Sequence, residues 1–220
     1  MLVALCSINA QEYNPTDTWP FLYLDFQPGM TRAKSGATLT EARFNITVND
    51  GRLVYVGKDD VIMQLDMNEV YTARVGEDVY VNILGKMYKL LSELDCGAVV
   101  EGVDVDVDEM NKVEIGYGVS SSSASANNVS VIMDGRFNLI NKSLRQAVDE
   151  KSQGNVVPIM TTQYIVVNGI LIPASRQTIS SYPGVDKKEA NDFFKKEKIK
   201  WKEVSSLEKV LVFVNEQLSK

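Results

Sequence analysis

The chain has 220 residues, 45% of them hydrophobic and 24% charged, with a formal net charge of −6, a pI near 4.9 and no histidine. A chain of this length can build a core without disulfides or metal. The acidic balance argues against nucleic acid and against docking on an anionic membrane surface, which need clustered Lys and Arg, and the missing histidine excludes the Ser-His-Asp triad, the Cys-His pair and His-ligated zinc or iron.

Residues 1–10 read as the remnant of a secretory signal peptide: Leu2 to Leu5 are apolar, small residues follow, and Ala10 precedes the polar Gln11-Glu12. Elsewhere no apolar run reaches the length of a membrane span. The mature protein is therefore expected to be exported, to the periplasm or to the cell surface and medium.

Residues 11–116 are expected to form a β-rich domain. Phe44, Ile46 and Val48 alternate with polar residues, Asn49-Asp50-Gly51 turns the chain, and Leu53 to Val56 returns. Val61 to Leu65 and Val70 to Val75 supply the next strands. Val79, Val81 and Ile83 alternate, Gly85-Lys86 is expected to turn, and Met87 to Leu91 comes back. Ala98 to Val100 and Lys112 to Gly116 continue the series. Short strands at this spacing imply an antiparallel meander that forms a barrel or a sandwich.

Residues 117–128, with Ser120 to Ser123, Ser125 and Asn127-Asn128, are a flexible Ser-rich loop by composition. Residues 129–220 are read as hairpins followed by helices, packed on the same fold. Val129, Val131 and Met133 lead into an Asp134-Gly135 turn, with Phe137 and Leu139 returning. Ser143 to Lys151 can make a short helix. Gln163 to Val167, Asn168-Gly169 and Ile170 to Ile172 give the clearest hairpin signal. Helical period then takes over. Asp186 and Glu189 make a capping box, with Val185 placed to staple onto Ala190. Ser205 and Glu208 suggest a second box, before Leu207, Val210, Leu211, Val214 and Leu218 at amphipathic spacing. These helices are expected to cover a hairpin or sheet face, a partner protein being the alternative.

The candidate chemistry is sparse. Cys96 is left alone once Cys6 goes with the leader, and it reads as a small core residue because no histidine stands by to stabilise a thiolate. Asp104, Asp106 and Asp108 alternate with valines. An EF-hand loop beginning at Asp104 would need Gly and Glu where Glu109 and Ile115 stand. A strand with valines inward fits the period of two, and a cation site of another kind is the alternative. The serines lack the glycines and lysine of a P-loop and the frame of a nucleophile elbow. Tyr13, Trp19, Phe21, Tyr23 and Phe26 suggest either core packing or a platform for sugar rings. Trp201 is expected to pack near the last helix. Asn45-Ile46-Thr47, Asn128-Val129-Ser130 and Asn141-Lys142-Ser143 match the N-glycosylation pattern. Paired carboxylates can hydrolyse glycosides without histidine, but none of the 29 acidic residues is singled out as such a pair.

The run Asn14-Pro15-Thr16-Asp17-Thr18-Trp19-Pro20-Phe21-Leu22-Tyr23, followed by Asp25-Phe26, resembles a group of secreted Bacteroidetes proteins without an assigned function. The similarity continues through Gly51-Arg52-Leu53, Asp78-Val79-Tyr80-Val81-Asn82, Tyr164 to Gly169 and Lys198 to Glu203. The resemblance implies export from a bacterium of that kind and carries over no catalytic residue.

The expectation is a mainly β protein with a helical C-terminus, acting as a non-enzymatic binding or structural module of the bacterial envelope. No catalytic, cofactor-binding or metal-ligating residue is nominated and no cofactor is expected. The partner would be an envelope protein or a glycan. The alternatives are a carboxylate-based glycan-active enzyme and a small-ligand-binding β-barrel.

Overall fold

The computed structural model describes residues 21–57, 61–106 and 159–219. The Ser-rich loop, the hairpin from Val129, the strand from Lys112, the helix from Ser143, the leader, Tyr13, Trp19, Asp108 and the sequons at Asn128 and Asn141 lie outside the described residues. The protein is mainly β. Ten strands are described: β1 (Gln27–Ala33), β2 (Thr38–Ile46), β3 (Leu53–Val56), β4 (Ile62–Gln64), β5 (Val70–Val75), β6 (Asp78–Ile83), β7 (Lys86–Leu94), β8 (Gly97–Val105), β9 (Ile159–Val167) and β10 (Ile170–Pro173). Helices α1 (Arg176–Ser180), α2 (Lys187–Lys196) and α3 (Val204–Leu218) follow.

All ten strands belong to one antiparallel sheet, in the order β4-β3-β2-β1-β5-β6-β7-β8-β9-β10. The meander has one departure: β5 returns to the free edge of β1 instead of pairing with β4. The link is short, and Asn82 fastens it by donating from Nδ2 to the carbonyls of Met67 at 2.5 Å and Val70 at 2.8 Å.

The sheet curls into a half-barrel, and its inner residues show why. Phe44 and Ile46 on β2, Leu53 on β3, Val75 on β5, Tyr80 on β6 and Met87 on β7 share one buried cluster. On a flat sheet β3 and β7 would lie about 24 Å apart, five strand spacings. Burying Leu53 beside Met87 requires curvature, and a backbone bond from Met87 N to Gly51 O at 2.8 Å closes it. On the outer face of β3 and β4, Val54 and Ile62 are covered by Phe21, which meets Phe26 edge-to-face at 5.0 Å.

The helices cover the far end of the inner face. Val99, Ile165, Val167 and Ile172 meet Leu207, Val210, Leu211 and Val214 of α3 in a second core, so the amphipathic stripe finds its partner in the sheet. Asp186 caps α2, accepting from Glu189 N at 2.7 Å. Phe193 of α2 stacks on Phe213 of α3 at 4.4 Å, and Trp201 packs edge-to-face on Phe194 at 5.0 Å. Half-buried Cys96 packs against this core from the β7–β8 turn.

Two local expectations change, and one helix is added. The β6–β7 turn is Leu84-Gly85, because Ile83 pairs with Lys86. Helix α3 starts one residue before Ser205, capped only by the backbone at Glu203, and Glu208 instead accepts a hydrogen bond from the Ser92 hydroxyl on β7. Helix α1, a single turn capped by Ser175, carries no periodic signal of its own. No described helix is long and apolar enough to cross a membrane.

Candidate functional site

The two cores lie on the same face of the sheet and do not meet along its whole length. Beside the cluster that holds Ile46, Tyr80 and Met87 is a cavity of about 110 Å³. Its floor is a row of paired residues: Tyr80 on β6 faces Lys89 on β7, which faces Glu101 on β8. Strand alternation places Asp78, Met87 and Val103 on the same face, and Thr161 of β9 stands opposite Val103. The facing wall comes from the chain before β1 and from the β2–β3 turn, through Leu22, Tyr23, Ile46, Val48 and Gly51.

Asn45 sets the wall. Its side chain is fully buried and works as a backbone substitute, with Oδ1 accepting from Tyr23 N at 3.0 Å and Nδ2 donating to Tyr23 O at 2.9 Å. Residues 21–25 are thereby held against the end of β2, where Leu22 N also donates to Ile46 O at 2.8 Å. A buried amide with its bonds satisfied is a structural group, so Asn45 belongs to the fold and does not present itself as a glycosylation acceptor. Gly51 turns with φ +65°, and a Cβ there would collide with the Lys86 side chain.

Asn45 delivers the Tyr23 phenol to the floor. Tyr23 Oη donates to Asp78 Oδ2 at 2.6 Å and lies 2.5 Å from Tyr80 Oη. With the Tyr23 proton engaged by the carboxylate, the Tyr80 hydroxyl is the donor of that second bond. Lys89 Nζ binds the other Asp78 oxygen at 2.8 Å. Burial, then the neighbouring Tyr80 and Asp78, push the Tyr23 phenol well above the usual tyrosine range. Tyr23 thus keeps its hydroxyl proton at neutral pH and offers no phenolate. Glu101 lines the same cavity but makes no hydrogen bond or ion pair among the described residues.

The outer face carries a second polar group. Tyr88 and Tyr164 meet edge-to-face at 5.5 Å over Gly102, where a Cβ would strike both rings. Asp104 is ion-paired with Lys86 beside them. Burial, then Tyr164 and Asp104, raise the Tyr88 phenol to about 12. The valine-inward reading of the alternating aspartates holds where it is described: Val103 packs on the inner core and Asp104 faces out. Among the described residues no three acidic or thiol side chains are grouped to hold a metal ion.

Of the side chains weighed for chemistry from the sequence, Tyr23 reaches the cavity, and Ile46, Thr47, Val48, Gly51 and Met87, read there as strand, turn or sequon residues, line it too. Phe21 and Phe26 pack in the outer core. Asp78, Tyr80, Lys89 and Glu101 were missed. Val79 is exposed and Tyr80 buried, so the inward phase of β6 is the polar one, and a tyrosine in that phase was the available signal. No family model matches the chain, and no curated protein or solved structure is similar to it.

Proposed function

We propose that this protein is an exported, non-enzymatic binding module of the bacterial envelope, and that the half-barrel cavity is its ligand site. The observation that carries the reading is the cavity itself, with apolar walls at Leu22, Ile46, Val48 and Val103 and a few polar groups at one side. Ligand sites have this make-up: apolar contact supplies affinity and a small number of fixed polar groups supply orientation. About 110 Å³ suits a molecule of a few heavy atoms or the end of a longer one. Export and envelope location rest on the leader-like residues 1–10 and on the resemblance to secreted Bacteroidetes proteins.

Asp78 and Glu101 both line the cavity, which is what a carboxylate-based glycosidase would show. Against that reading, Asp78 has one oxygen held by Tyr23 and the other by Lys89, and the aliphatic walls give a sugar's hydroxyls few partners.

Val103→Phe is the test, since the larger ring enters the cavity from its floor. Small amphipathic molecules that raise the melting temperature of the full chain should lose that effect in the variant. Hits that stabilise the variant equally well would place their site elsewhere and refute the cavity.

A further inference from the structure

Among the described residues, the cavity has one charged side chain whose charge is not already met. Asp78 is neutralised by Lys89 at 2.8 Å and receives the Tyr23 hydroxyl at 2.6 Å. Glu101 sits next to Lys89 across the β7–β8 pair, yet no ion pair forms between them. Lys89 is therefore committed to one carboxylate while a second lines the same space. Counting Asp78, Lys89 and Glu101, the described lining carries one uncompensated negative charge. The same cavity is lined by the aliphatic Leu22, Val48 and Val103 and by Thr161.

A half-buried carboxylate beside apolar surface is stabilised by an opposite charge or by hydrogen-bond donors. A ligand with an ammonium group supplies both, and its alkyl part matches the walls. An anionic ligand would have to displace Lys89 from Asp78 while facing Glu101. We infer that the cavity selects small alkyl amines in their protonated form, and that Glu101 is the residue that recognises the cation. This inference rests on the cavity being the ligand site.

Three probes of nearly one shape separate the possibilities: n-butylamine, 1-butanol and butyrate, each titrated at pH 7 into the full chain and into Glu101→Gln, followed by amide shifts in NMR spectra. The Glu101 side chain makes no hydrogen bond among the described residues, so the variant is expected to fold, and its spectrum checks this directly. Butylamine should bind at least about 10-fold tighter than butanol to the wild type, a gap of about 1.4 kcal/mol. That gap should close in Glu101→Gln. Equal binding of amine and alcohol, or a gap that survives in the variant, would overturn the role of Glu101 and leave the cavity reading standing. Tightest binding by butyrate would overturn cation selectivity and make Lys89 the recognition residue. Binding of none of the three would overturn the inference together with the cavity reading on which it rests.

Discussion

At the scale of single residues, the site depends on two groups that do different work. Asn45 positions and Tyr23 connects. Replacing Asn45 by Ala leaves the Tyr23 backbone N–H and C=O without their partner, at about 1–3 kcal/mol for each buried group left unpaired. Asn45→Ala should therefore lower the urea midpoint of the full chain clearly, and tyrosine fluorescence should show Tyr23 displaced; an unchanged midpoint would mean the clamp contributes nothing. The tyrosines also predict a pH dependence. Both Tyr23 and Tyr88 have folded-state values above the unfolded value of about 10. Their contribution to stability is complete below pH 10. It declines as the unfolded chain ionises, with the Tyr88 part exhausted above its folded value of about 12. Urea unfolding between pH 8 and pH 11 should show stability falling above pH 10, and less steeply in Tyr23→Phe. Parallel curves for the two proteins would show that Tyr23 ionises as freely in the folded state as in the unfolded one.

At the scale of elements, two hairpins use the same left-handed turn conformation with different residues. Asn168 and Leu84 precede their glycines with φ of 51° and 54°. Asn tolerates that region, whereas a branched apolar side chain costs about 1–2 kcal/mol there. Leu84 is 96% exposed, so no packing offsets the strain. Leu84→Asn should raise the urea midpoint, by an amount equivalent to roughly 0.5–1 kcal/mol; a lower midpoint would mean the leucine makes a contact in solution that outweighs its backbone cost. The same contrast marks what could be read in advance. Asn168-Gly169, the Asp186 cap and the stripe from Leu207 to Val214 are local signals, each contained within a few residues. Leu84 carries no turn signal, which is why that turn was placed one residue late. In β6 the period was legible but its phase was not, because both faces carry apolar bodies and the buried one bears a tyrosine hydroxyl.

At the scale of the whole molecule, one curled sheet supports two cores on a single face, and the cavity lies beside the one that holds Ile46, Tyr80 and Met87. Its parts come from far apart in the chain: Tyr23 meets Asp78 across 55 positions, and the floor ends on β9, beyond residue 158. Periodicity and turn chemistry cannot report such a meeting, since it depends on strand order and on the return of β5 to β1. The β-rich class was legible from alternation, while the site was not, because its residues become neighbours only through the curl. The most direct measurement is a map of amide shifts on the full chain as butylamine is added. The account predicts perturbations at residues 22–23, around Gly51 and on β8 near Glu101 and Val103, which are remote in sequence and meet only at the cavity. Perturbations confined to the outer face around Arg74, or to the helices around Phe193 and Phe213, would contradict it.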